Sequence, residues 1–176
     1  MAEQPALTGE YLGMSLSVSD IDVENLEYFR ACGRHEFSLQ VCDRCDLLRY
    51  PPTTACPWCT TDSWTWQPVE GRGTVYSYSE VAHAIQPQFR DHLPYLLLLV
   101  ELDTQRGQPS PGESLRVVGN LVDAEGNLAP PEMVARVGIG TRVRIVYRDV
   151  GEGFAIPQWT IDETVEQPVP WRYPES

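Results

Sequence analysis

The sequence predicts a mainly β protein: an N-terminal helix, a rubredoxin-like metal ribbon, and a five-stranded barrel of the OB type with a short helix. Three observations predict it. Two cysteine pairs, Cys42-x-x-Cys45 and Cys56-x-x-Cys59, stand ten residues apart. Five short segments rich in β-formers follow between Gly71 and Ile161, divided by glycine, proline and aspartate turns. A proline-opened stretch of helical character sits before the fourth segment, where a small Greek-key barrel of this type carries its helix.

Residues 1–21 read as a loose N-terminal arm, polar and mixed, with Tyr11, Leu12, Met14 and Leu16 as the side chains that would dock. Ser19-Asp20-Ile21-Asp22 offers helix N-caps. Val23, Leu26, Phe29 and Cys32 then recur at helical spacing, acids crowd the first turns, and Gly33 suits the C-terminus. Cys32 ends an amphipathic face and reads as a buried thiol. The helix and the ribbon together span 22–69. Within that span, Phe37, Leu39 and Val41 alternate with polar residues as a short strand leading into the first cysteine pair.

A Cys-x-x-Cys hook lets two sulfurs reach one ion from a tight turn, and two hooks complete a tetrahedron. Tyr50-Pro51-Pro52 between them is an extended connector, and Pro57 stiffens the second turn. Four thiolates leave no open position on the metal, so the site reads as structural Zn2+. Iron in a rubredoxin-like centre uses the same ligand set, and two disulfides would use the same residues. Trp64, Trp66 and Val69 alternate after the second hook as a strand that leaves the ribbon.

The barrel spans 70–163. Thr74–Val81 is an alternating first strand. Tyr95–Leu102 is a continuous apolar run, which suggests burial on both faces. Leu115–Val122 is the third strand, with Gly119 as a bulge or close approach. Pro130–Val137 supplies the short helix. Thr141–Val150 is the fourth strand, with Arg142, Arg144 and Arg148 on one face. Phe154–Ile161 is the last, and Pro157 places it at an edge. Residues 164–176 form a proline-rich C-terminal tail.

The composition argues against several functions. The chain has 25 acids against 13 bases, all arginines, for a net charge of −12. Such a surface repels nucleic acid. No basic-then-apolar leader opens the chain, and Tyr95–Val100 is far too short to span a bilayer. Paired hooks without further cysteines fit a reducing, cytoplasmic compartment.

The residues also carry a family resemblance. The helix, Cys42-x-x-Cys45, Arg49-Tyr50-Pro51-Pro52, Cys56-Pro57-x-Cys59 and Gly71-Arg72-Gly73-Thr74-Val75-Tyr76-Ser77-Tyr78 follow in order. Pro94-Tyr95, Val100-Glu101-Leu102, Val118-Gly119-Asn120-Leu121, Gly138-x-Gly140 and Val143-x-Ile145 continue the series. Over 22–163 the chain resembles the zinc-ribbon plus OB-fold family catalogued as domain of unknown function number thirty-five. The resemblance implies a partner of thiolase-superfamily enzymes that handle acyl-CoA. Some members are thiolase subunits, and others join thiolase-like aldolases that shorten steroid side chains by retro-aldol cleavage. It further implies that the thiolase-like subunit carries the catalytic residues and that the OB protein completes its structure and substrate channel.

No catalytic motif stands out in this chain: there is no nucleophile elbow, no phosphate-cradling loop with a lysine, and no His-Glu-x-x-His. Candidate substrate- or partner-facing residues are His83, Phe89, Arg90 and His92 in the loop after the first barrel strand, against the reading of an ordinary polar loop. Trp58 on the ribbon and Trp171 and Tyr173 in the tail are candidate interface aromatics, against packing on the chain itself or a disordered end. Arg142, Arg144 and Arg148 offer a stripe for CoA phosphates, against a solvated outer face. Three functions compete: an accessory subunit, a nucleic-acid-binding ribbon/OB module, and an independent small hydrolase or hydratase.

Overall fold

The structure is a computed structural model and describes residues 5–173. The parts of the expected arm and tail at 1–4 and 174–176 lie outside the described residues.

The expected loose arm is instead a hairpin. Strands β1 (Pro5–Tyr11) and β2 (Met14–Ser19) pair antiparallel. Leu12 and Gly13 join them with φ of 50° and 77°, the two positive values that a type I′ turn needs. Leu7 and Val18 are buried against Leu26 and Phe154, with Leu16 and Val150 packed around them. The hairpin thus exists because its alternating apolar side chains have a surface to cover.

Helix α1 (Val23–Gly33) is capped by Asp22, whose carboxylate accepts from the Asn25 N–H at 3.3 Å. It buries Leu26, Tyr28, Ala31 and Cys32. Cys32 is fully buried, and desolvation pushes its thiol up to about 12, which makes it a packing residue.

The ribbon is a three-stranded sheet in the order β4-β3-β5, with β3 (Ser38–Cys42) between β4 (Leu48–Arg49) and β5 (Trp64–Pro68). β5 therefore pairs inside the ribbon before the chain moves on. Phe37, Leu39 and Leu48 join the same core as the barrel residues Val75, Leu98, Val100 and Val143. Ribbon and barrel share one continuous interior.

The barrel comprises β6 (Arg72–Val81), β7 (Tyr95–Leu102), β8 (Arg116–Asn120), the short helix α2 (Pro131–Val134), β9 (Arg142–Gly151) and β10 (Phe154–Ile161). The sheet order is β10-β9-β6-β7-β8, antiparallel throughout. A parallel bridge between Leu121 and Trp159 closes it, with the Val122 N–H donating to the Trp159 carbonyl at 2.8 Å. The Gln158 side chain fills the rest of the seam, accepting from the Asn120 N–H at 2.8 Å. Five strands with this order, a helix between the third and fourth, and third-to-fifth closure make an OB-type barrel.

One expectation about β7 is corrected. Leu96, Leu98, Val100 and Leu102 point inward and are fully buried, but Leu97 is 40% exposed and Leu99 is half-buried. The run is continuous in sequence yet serves one buried face and one outer face.

The described part of the tail is docked on the chain itself and is not the disordered end that one reading gave. Trp171 and Ile139 exchange two backbone hydrogen bonds of 2.8 Å. Arg172 donates to the carbonyls of Val134 (2.7 Å) and Val137 at the end of α2, and pairs with Glu80 at 2.9 Å. The described part of the tail is strapped to its own barrel. No helix is long and apolar enough to cross a membrane among the described residues.

Candidate metal centre and surface sites

Each cysteine hook is a turn closed by backbone bonds. The Asp46 N–H donates to the Cys42 carbonyl at 3.0 Å and the Thr60 N–H to the Cys56 carbonyl at 2.9 Å. Asp46 and Thr60, each immediately after the second cysteine of its hook, sit in the left-handed region with φ of 56° and 64°. That reversal turns both sulfurs of a hook to the same side. Strand pairing brings the hooks together: the Asp43 N–H reaches the Ser63 carbonyl at 3.3 Å, and β3 ends at Cys42 itself.

The result is one cluster. All four sulfurs lie within 4.8 Å of one another, with Cys42 and Cys59 at 3.4 Å and Cys45 and Cys56 at 3.6 Å. Thiolates about 2.3 Å from a tetrahedral metal stand about 3.8 Å apart, so the residues present fit a four-sulfur site. Among the described residues this is the one cysteine, histidine or carboxylate cluster with metal-ligand geometry. Without a cation the thiols cannot all ionise together. Hydrogen bonding from Thr61 holds the Cys59 thiol down to about 6. The Leu47 N–H favours a Cys45 thiolate, but desolvation and the three neighbouring sulfurs outweigh it and push that thiol up to about 12. Metal uptake therefore displaces protons and strengthens as pH rises.

The other candidate residues do not converge. Phe89 packs against Tyr95 and Tyr11, with centroids at 5.1 and 6.3 Å, over Val122, Leu128 and Val146. It pins its loop to the barrel and the hairpin. His83 and Arg90 are exposed and His92 is half-buried, and none of them makes a hydrogen bond or an ion pair among the described residues. Trp58 is 47% exposed at the tip of the second hook. The Trp171 and Tyr173 side chains stay on the surface although their backbone is docked. The arginine stripe is partly spent on the chain's own groups. Arg142 pairs with Asp103 and with the Thr74 hydroxyl at 2.7 Å, and Arg148 donates to Asn127 at 3.1 Å.

Two features escaped the sequence reading. The outer face of β7 and β8 carries Leu97, Leu99 and Val118, in register as Leu99 opposite Val118. Val118 is 46% exposed, and with Ser77 and Ser79 these side chains line a shallow depression of about 150 Å³. The second is Arg49, which is only 2% exposed.

Comparison with known proteins agrees with this architecture. Residues 66–148 match the family model for the ChsH2 C-terminal OB-fold domain. A probable enoyl-CoA hydratase alpha subunit of Thermomonospora curvata is 35% identical over 102 residues, 58% of this chain. The chain spans only 28% of that relative's length. A DUF35 domain-containing scaffold protein of Methanothermobacter thermautotrophicus is 28% identical over 68% of this chain and 77% of its own. Among solved structures, one named Ltp2-ChsH2(DUF35) aldolase superposes with a TM-score of 0.61 and 29% identity, covering 81% of this chain and 97% of that one. A DUF35-family protein of unknown function from Sulfolobus solfataricus shares the fold alone, at a TM-score of 0.50 and 11% identity over 80% of this chain and 87% of its own.

Proposed function

We propose that the chain, which is similar to the ChsH2 C-terminal OB-fold domain over residues 66–148 and to DUF35 proteins more widely, is a non-catalytic accessory subunit of a thiolase-superfamily enzyme acting on acyl-CoA substrates. The enzyme is a retro-aldolase that shortens steroid side chains, with a thiolase as the second reading. The observation that carries this reading is the likeness to the Ltp2-ChsH2(DUF35) aldolase chain, which this chain matches over nearly that chain's whole length. The kinship with a hydratase subunit supports the acyl-CoA class of substrate.

The chain's own residues take structural parts in this reading. Cys42, Cys45, Cys56 and Cys59 hold Zn2+, which folds the ribbon. The Leu97–Leu99–Val118 face docks on the thiolase-like subunit, because an apolar outer face on a barrel gains most by leaving water. His83, Arg90 and His92 border the substrate channel from the same barrel, and Trp58, Trp171 and Tyr173 sit at the rim of the assembly. The acyl-CoA is shared with the partner, which binds the nucleotide end, because Arg142 and Arg148 here are already engaged. Nucleic acid is disfavoured by the net charge of −12.

Co-expression with a thiolase-like aldolase subunit tests this. The two chains are expected to co-elute as a hetero-oligomer on size exclusion. Leu97→Asp buries a carboxylate in the contact and is expected to weaken it about 100-fold, roughly 3 kcal/mol. Separate elution of the wild-type chains at micromolar concentration would refute the reading, and an unaffected L97D complex would move the contact elsewhere.

A further inference from the structure

Arg49 is a buried cation, 2% exposed. Its Nε donates to the Gln40 Oε1 at 2.7 Å, and its guanidinium lies 4.9 Å from the centre of the Trp64 ring. Both terminal nitrogens are buried without an acceptor, as is the Gln40 Nε2. None of the ion pairs found among the described residues includes Arg49. Arginine stays protonated in proteins, and an uncompensated buried charge is strongly unfavourable.

The register places the cation and a metal ligand on one face of the ribbon. Gln40 stands opposite Arg49 on one side and Trp66 on the other, and Cys42 stands opposite Trp64. Directly paired residues share a face of a sheet, and so do residues two apart on one strand. Arg49, Trp64 and the metal ligand Cys42 therefore lie on the same face of the ribbon. A divalent ion held by four thiolates carries a formal charge of −2, itself costly to bury. The same cation is tied to the second hook. Gln40 Oε1 also accepts from the Thr53 N–H at 2.8 Å, in the connector that leads to Cys56.

We infer that Arg49 is the counter-cation of the metal–thiolate centre, a positioning residue that raises its metal affinity. The inference rests on the cysteine cluster holding a divalent metal. Metal affinity of the full chain, measured by competition with a chromogenic chelator for Zn2+ and by the tetrahedral absorption of Co2+, tests it. R49M, which keeps length and apolar contact but removes charge, is expected to lose tenfold or more in Zn2+ affinity. R49K keeps the charge but loses the planar fork, and is expected to lose clearly less affinity than R49M. Replacing one thiolate, as in C45H, lowers the site's charge to −1, so R49M in the C45H background should cost markedly less than R49M alone. Unchanged affinity in R49M, or an equal loss in both backgrounds, would overturn the role of Arg49 and leave the metal centre standing. If R49M loses the ribbon outright, R49M/C45H decides: regained metal uptake supports the charge role, and none overturns it. A wild-type chain that takes up neither Zn2+ nor Co2+ would remove the centre itself.

Discussion

Serine at Cys56 releases the metal and unravels the two hooks. Cys56 is 2% exposed and closes the tetrahedron from the side of the second hook. Structural zinc in small ribbons supplies an apparent ~10–16 kcal/mol, all of it folding free energy. Little else holds these hooks. Residues 43–47 and 57–63 contribute no buried apolar side chain, and the three ribbon strands have only five, two and five residues. Metal content by elemental analysis is expected to fall below one-tenth of the wild-type stoichiometry, and limited proteolysis to cut between residues 43 and 63. The barrel survives because its interior is built mainly from its own strands. The shared contacts of Phe37, Leu39 and Leu48 are loosened, so its thermal transition drops by roughly 5–10 °C. A strong chelator at neutral pH should reproduce both effects in the wild-type chain. Full metal occupancy and unchanged protease resistance in C56S would contradict this account of the ribbon.

Trp159→Ala acts on the barrel and leaves the sulfurs untouched. Trp159 is 1% exposed and stands at the seam where β10 meets β8. Gly119 makes room for it: a Cβ at that glycine would lie 2.8 Å from the Trp159 ring. The ring fills the gap that a missing side chain leaves on β8, and the backbone of the same residue accepts the closing hydrogen bond from Val122. Truncation to alanine removes the largest fully buried side chain among the described residues and opens a cavity in the core that it shares with Leu121, Val117 and Ile161. The expected loss is about 3–5 kcal/mol in urea unfolding at unchanged metal stoichiometry. A loss below about 1 kcal/mol would mean that the seam does not depend on this ring.

Much of this architecture was legible in the chain because its signals are local. The cysteine spacing, the glycine and proline punctuation and the position of Pro131 each act within a few residues, and together they placed the ribbon, five barrel strands and α2. The parts that were missed depend on partners distant in sequence. The hairpin at 5–19 is serine-rich, and its weak pattern becomes a structure only where Phe154 and Leu26 give it a surface. The run Tyr95–Leu102 contains no polar residue before Glu101 to mark its outer face, so composition could not separate Leu96 from Leu97. Arg172 caps carbonyls 35 and 38 residues away, which no local window records. Arg49 looks like a surface charge until the pairing of β3 with β4 sets Gln40 across from it.

In the proposed assembly this chain supplies structure and a docking face while a second polypeptide supplies the chemistry. Steady-state turnover of an acyl-CoA substrate tests it most directly, measured for this chain alone, for the thiolase-like subunit alone and for the two together. No turnover is expected from this chain, little from the partner, and full activity only from the mixture, lost again with L97D. Robust turnover by the isolated chain would contradict it.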